Sequence, residues 1–283
     1  MKIRTIIINC VAIVVLLGSL PKTPNHTIYY LSPESLFFPL EKKLSSQEQT
    51  LKRLNQKLTR GEPINILFVC GLNKERSFLW HMLGAVIVRE KGLSEQIKVS
   101  SAGVFAPVFD LEFYPEEQRE IMRTNFLHPN TILKKCCLEQ FPPEYHDIVE
   151  SFSASLPSLE EVQNADVIVV AADAVTEVIA ERTKENLPLS RLEDKIIYFS
   201  LLSEDLAKDY QQNMPDYSTW VNNFMKKNKL KDEDISEEMR ERLALEYFEI
   251  TNRVLREKFF AAILSPLEEA HSPQTINSIQ TAI

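Results

Sequence analysis

Cys70, Arg76 and Ser77 have the spacing of a loop that grips phosphate. Ile64-Asn65-Ile66-Leu67-Phe68-Val69 is an apolar run of strand type, Cys70 closes it, and Gly71-Leu72-Asn73-Lys74-Glu75 separates the thiol from the arginine and serine. A Cys-x5-Arg-Ser segment between a strand and a helix can curl so that its backbone N–H groups converge on one tetrahedral oxyanion. Arg76 then holds two oxygens in its planar fork while Cys70 lies beneath the phosphorus. The attacking species is a thiolate, which a helix N-terminus and nearby donors favour, so no separate general base is needed. Ser77 can donate to the sulfur and ease its departure, and Asn73 can brace the loop from inside. A buried cysteine that merely ends a core strand is the alternative, because Cys-x5-Arg alone is a weak pattern. The strand-type run before the cysteine and the helix-compatible run Ser77–Lys91 after it separate the two readings.

On these residues the chain resembles the low-molecular-weight protein tyrosine phosphatase family, a flavodoxin-like fold shared by its arsenate-reductase relatives. The resemblance extends over residues 64–264 and is carried by the loop Cys70–Ser77, by Val99-Ser100-Ser101-Ala102-Gly103 and by Asn164–Asp173. It implies that Cys70 is the nucleophile and that Gly71, Leu72, Asn73, Lys74, Glu75, Arg76 and Ser77 surround the phosphate. Ser101 would then help to hold Asn73. Met214-Pro215-Asp216-Tyr217 is similar to the family's Asp-Pro-aromatic segment, which makes Asp216 the candidate general acid, protonating the leaving phenolate and then deprotonating water. An aspartate supporting a turn after proline is the other reading of Asp216, and Asp209 and Asp205 are further candidates. Tyr217, Phe105 and Trp80 are candidates for the mouth of the site, Tyr217 foremost, where an aromatic ring can stack on an aryl substrate.

The chain departs from the family at several places. Leu72 stands where many members have glycine, Phe78 where many have proline, and Tyr217 follows Asp216 with no proline between. Leu72 is strained if the loop requires a positive φ there. Glu75 sets a carboxylate beside Arg76 inside an anion site, where it either orients the arginine or repels phosphate.

The elements around the loop are those of an α/β protein. Strand-type runs at Ile64–Cys70, Ile97–Ser101, Val167–Ala171 and Lys195–Leu201 alternate with helical segments at Pro115–Asn125 and Val175–Thr183, which predicts a flavodoxin-like, doubly wound parallel sheet with helices on both faces. In such sheets the ligand lies at the carboxyl ends of the strands, where Cys70 falls. Residues 126–157, with His128-Pro129 and Pro142-Pro143, read as a loop-rich insertion, and Met225–Glu238 as a solvated excursion. Met239–Leu264 reads as a long helix with an apolar stripe. The expected organisation is a leader at 1–20, an extended arm and an amphipathic helix at 21–62 with Leu51, Leu54 and Leu58 at helical spacing, a phosphatase-like domain at 63–265, and a flexible tail at 266–283.

Composition narrows the function. A 283-residue chain with 44% hydrophobic residues can bury a sizeable core, and a net charge of -8 argues against nucleic acid as partner. Met1-Lys2-Ile3-Arg4, followed by an apolar stretch to Leu20, has the outline of a secretory signal, so the chain is expected to be exported or anchored through this segment. The alternative is a cytoplasmic protein with a buried N-terminal element. Cys10, Cys70, Cys136 and Cys137 form no disulfide framework and no zinc spacing, and His81, His128 and His146 have no ligand spacing. No metal or organic cofactor is expected. The expected substrate is a phosphorylated protein or small aryl phosphate. A non-catalytic phosphate-binding module and a thiol-dependent arsenate reductase using Cys136 and Cys137 are the alternatives.

Overall fold

The computed structural model describes residues 40–104, 128–202 and 215–270, with side chains as far as Ser265. The leader, residues 21–39, Pro115–Asn125, Phe105, Asp205, Asp209, Met214 and residues 271–283 lie outside the described residues. Among the described residues, no helix is long and apolar enough to cross a membrane.

Four strands, β1 (Ile64–Cys70), β2 (Ile97–Gly103), β3 (Val167–Val170) and β4 (Ile196–Tyr198), form one all-parallel sheet in the order β2-β1-β3-β4. The helices in chain order are α1 (Leu40–Thr59), α2 (Arg76–Glu90), α3 (Thr131–Gln140), α4 (His146–Glu150), α5 (Leu159–Asn164), α6 (Asp173–Thr183), α7 (Leu189–Glu193), α8 (Tyr217–Asn228), α9 (Glu237–Val254) and α10 (Ala261–Ala270). Side chains alternate across a strand, so Ile64, Ile66, Phe68 and Cys70 face one side of β1 while Leu67 and Val69 face the other. The first side packs against apolar residues of α1, α2, α3, α9 and α10. The second packs against Val162 of α5, Val175 and Ile179 of α6 and Leu192 of α7. Both faces are therefore covered, as an all-parallel sheet requires. Strand order reverses at β1, which lies between β2 and β3, and the crevice at its carboxyl end is the switch point of this topology. Cys70 ends β1 there, in register with Gly103 at the end of β2.

Leu54 and Leu58 of α1 are buried in the first core, and the helix ends at Gly61 with φ 69°, a conformation glycine adopts without steric cost. Lys57 Nζ pairs with Asp166 Oδ1 at 2.7 Å, and Asp166 Oδ2 accepts the Asn65 N–H at 2.9 Å, fastening α1 beside the start of β1.

Four elements differ from expectation. Residues 131–140 are helical, because Asn130 caps α3 by accepting the N–H groups of Ile132 and Leu133 and because Leu133, Cys136 and Cys137 are buried; the prolines flank this helix without entering it. β4 stops at Tyr198 and continues as a 3₁₀ turn, Phe199–Leu202. In Met225–Glu238 the first lysines complete α8, which ends on Lys229 at φ 56°, before an exposed 3₁₀ turn at Asp232–Asp234. The long C-terminal helix contains one π turn, Leu255–Phe260. Its wider turn lets two adjacent rings, Phe259 and Phe260, both point inward, and the helix then runs to Ala270, into the segment expected to be tail.

Candidate active site

The loop between β1 and α2 wraps around the Cys70 sulfur. Ser77 Oγ lies 3.0 Å from Cys70 Sγ, and the Asn73 backbone N–H donates to the same sulfur at 3.3 Å. Hydrogen bonds to a sulfur stabilise its charged form. Cys70, Asn73 and Ser77 are buried, whereas Gly71, Leu72, Lys74, Glu75 and Arg76 are partly exposed around them. Arg76 is the first residue of α2, so the helix N-terminus opens onto the loop.

The left-handed conformation that the loop requires falls on Asn73, with φ 57°, and not on Leu72. Asparagine tolerates that region far better than a bulky side chain, which removes the strain anticipated for Leu72. Asn73 is fixed at both ends of its side chain: Nδ2 donates to the Ser101 carbonyl at 3.2 Å, and Oδ1 lies 2.8 Å from Ser77 Oγ. The Ser77 hydroxyl has three acceptors in reach, Cys70 Sγ, Asn73 Oδ1 and the Ala102 carbonyl at 3.2 Å. It carries one proton, so it can shift its donation as the charge on sulfur changes.

Ser101 supports Asn73 through its main-chain carbonyl. Its hydroxyl pairs instead with His81 Nδ1 at 3.0 Å. Burial pushes the His81 imidazole down to about 4, so the ring is neutral at pH 7. Histidine spacing gave no hint of this role, but His81 lies four residues after Ser77, on the same face of α2. Gly103 closes the arrangement from β2: a Cβ there would lie 2.6 Å from Asn73 N and from Leu72 C. The end of the Ser-Ala-Gly segment is a glycine because the loop backbone passes directly over it.

The Glu75 carboxylate is taken up by donors from outside its own loop. Its Oε1 accepts from Asn130 Nδ2 at 2.9 Å and Ser218 Oγ at 2.7 Å, and its Oε2 accepts the Ser218 N–H at 3.0 Å. Asp216 is the N-cap of α8, its Oδ1 accepting the Thr219 N–H at 2.7 Å. The turn-supporting interaction is thus present, and it places Asp216 two residues from Glu75's partner Ser218. The buried Tyr247 phenol donates to the Pro215 carbonyl at 2.9 Å. Burial pushes Tyr247 well up; Arg76 opposes that, while the charges of Glu75, Asp216 and Cys70 reinforce it.

Two of the aromatic residues expected at the mouth belong to the core. Tyr217 is 3% exposed with its hydroxyl donating to the Arg240 carbonyl at 2.7 Å, and burial pushes it up to about 12. Trp80 is fully buried and stacks on Phe199 with ring centroids 4.3 Å apart. Both rings gain more from packing than a solvent-facing position offers. Cys136 and Cys137 are buried in α3; burial pushes Cys136 up to about 12 and Cys137 well above the usual thiol range. Among the described residues, no group of three or more His, Cys, Asp or Glu is placed to hold a metal ion.

Neither protein-family models nor curated protein sequences give a match. Solved structures do. The chain is similar to a low-molecular-weight protein tyrosine phosphatase from Bacillus subtilis, at 17% identity and a TM-score of 0.41 over 69% of this chain and 96% of that one. It is similar to the YwlE arginine phosphatase from Geobacillus stearothermophilus, at 19% identity and 0.40 over 74% and 98%. It is also similar to a low-molecular-weight phosphotyrosine phosphatase from Vibrio cholerae, at 17% identity and 0.41 over 69% and 95%.

Proposed function

We propose that this protein is a phosphatase of the low-molecular-weight tyrosine phosphatase type, acting on phosphotyrosine or other aryl phosphates through a phosphorylated Cys70. The observation that carries the reading is the sulfur of Cys70, held at the N-terminus of α2 with Ser77 Oγ and Asn73 N–H as donors. In the first step the Cys70 thiolate forms a bond to phosphorus and the bond to the phenolic oxygen breaks. The departing oxygen takes the proton of Asp216, while Arg76 and the loop N–H groups hold the three equatorial oxygens. In the second step water attacks phosphorus, Asp216 takes its proton, and the P–S bond breaks to release inorganic phosphate. The Ser77 hydroxyl stabilises the sulfur as it leaves. Arsenate reduction is disfavoured, because a thiol relay needs resolving thiolates that can reach the loop cysteine, and burial keeps Cys136 and Cys137 protonated.

The test is turnover of p-nitrophenyl phosphate by the full chain and by Cys70→Ser, together with alkylation by iodoacetate. The parent should turn over, Cys70→Ser should not, and vanadate should protect Cys70 from alkylation. Vanadate protection without turnover by the parent would instead establish a phosphate-binding module.

A further inference from the structure

Glu75 occupies the N-cap position of α2 (φ -125°, ψ -75°) but makes no capping bond to its own helix. Its carboxylate is the only one between Cys70 and Ser77, and facing inward it would oppose a bound dianion. It faces outward instead, and both oxygens meet donors from two other helices. Ser218 is the second residue of α8 and gives both its N–H and its hydroxyl to Glu75. Asn130, the N-cap of α3, gives its side-chain N–H to Glu75 and its main-chain N–H to the Lys74 carbonyl at 3.0 Å. The first turn of α8 is therefore held by two carboxylates, its own Asp216 on the Thr219 N–H and the loop's Glu75 on Ser218. Each satisfies an N–H that the helix cannot pair internally, and each lies where the helix dipole favours negative charge.

We propose that Glu75 is a positioning residue for the general acid, fixing Asp216 relative to the Cys70 loop through Ser218. This rests on the phosphatase reading above. Ser218 and Asp216 are two residues apart at a capped helix start, so a shift of one carries the other. The Glu75 bonds are charge-assisted, the stronger kind, and cross from the phosphate loop directly to the element bearing the acid. Losing them leaves the anion site intact and lets the acid drift, and a drift of order 1 Å in a catalytic group costs roughly 100-fold in rate.

The experiment compares two substrates that differ in their need for an acid. Phenyl phosphate expels a phenolate with a pKa near that of tyrosine, about 10, whereas p-nitrophenolate leaves with little help. Glu75→Ala should lower kcat for phenyl phosphate ~10-fold or more beyond its loss for p-nitrophenyl phosphate, with protection by vanadate kept within a few-fold of the parent. Ser218→Ala, which leaves the phosphate loop untouched, should show the same split at smaller size, and Glu75→Gln an intermediate one because its amide can accept at only one end. These variants also serve if Glu75→Ala does not fold. Equal losses on both substrates, or loss of vanadate protection in step with activity, would overturn the inference and make Glu75 a support of the loop alone. Cys70→Ser run alongside separates the failures: if it retains turnover, the phosphatase reading itself has failed.

Discussion

Gly103→Ala adds one methyl group where the end of β2 meets the loop between β1 and α2. Its Cβ would fall 2.6 Å from Asn73 N, 2.6 Å from Leu72 C and 2.9 Å from Gly71 O, where ordinary contact begins at 3.4 Å. The loop must therefore retreat by about 0.8 Å, the difference between 3.4 and 2.6 Å. The opposing atoms are main chain, so no side-chain rotation relieves the clash. Gly103 does not have a positive φ, so alanine carries no dihedral strain and the effect is steric. The retreat pulls Asn73 N away from Cys70 Sγ and loosens Asn73 Nδ2 on the Ser101 carbonyl. Overpacking of this kind costs about 1–3 kcal/mol in stability, and displacement of a catalytic group by about 1 Å costs roughly 100-fold in rate. Urea unfolding and steady-state turnover of p-nitrophenyl phosphate should show both losses in a protein of parental circular dichroism. Gly84→Ala is the control, since the three nearest atoms to its Cβ belong to the side chains of Phe68, Val99 and Phe260, the nearest at 3.1 Å; it should cost stability and leave turnover within a few-fold. Gly103→Ala with turnover within ~3-fold of the parent would refute the close approach as a requirement of the site.

Arg76→Lys keeps the charge at the start of α2 but replaces a planar two-point donor by a point charge, so kcat should fall ~100-fold or more; a near-parental rate would remove Arg76 from the phosphate site. His81 makes stability depend on pH. Its imidazole lies at about 4 in the fold against 6.5 in the unfolded chain, so between those values the folded form binds fewer protons. Its contribution to stability is therefore fully present above pH 6.5 and is lost as pH falls toward 4. At about 1.4 kcal/mol per pH unit, the loss at pH 5 is about 2 kcal/mol at most, reduced by the residue's partial exposure. Urea unfolding at pH 7.5 and pH 5 should show a steeper loss in the parent than in His81→Gln, and equal slopes would place the ring in water.

The placement of the loop residues was legible because it is local. Cys70, Asn73, Arg76 and Ser77 lie within one turn of chain between a strand and a helix, and each has a residue type that suits its position. Gly103 was legible as part of a short motif, though its reason, the loop backbone overhead, is tertiary. What stayed hidden depended on distant partners. Glu75 beside an arginine is ambiguous until Asn130, 55 residues on, and Ser218, 143 residues on, draw its carboxylate outward. Tyr217 was placed at the mouth by its neighbour Asp216, but it is the first residue of α8, and the packing of that helix against α9 turns its ring inward toward Tyr247. The helix α3 was masked by the prolines on either side of it, since proline signals a boundary without saying what lies between.

The helix α1 also sets an order of events for the chain as it folds. It is the first described element to be synthesised, yet its partners come late: Thr50 Oγ1 donates to the Asp194 carbonyl, 144 residues on, and Asn55 Nδ2 to the Ile263 carbonyl, 208 residues on. Closing such long loops precedes any gain from the contacts they bring together. The complete burial of Leu54 and Leu58 therefore waits on β4 and α10, against which α1 packs. A chain that begins at Glu62 would spare this wait but leave Ile197 and Ile263 without the helix that covers them. Such a shortened form should refold faster, unfold more readily and aggregate at concentrations the full chain tolerates.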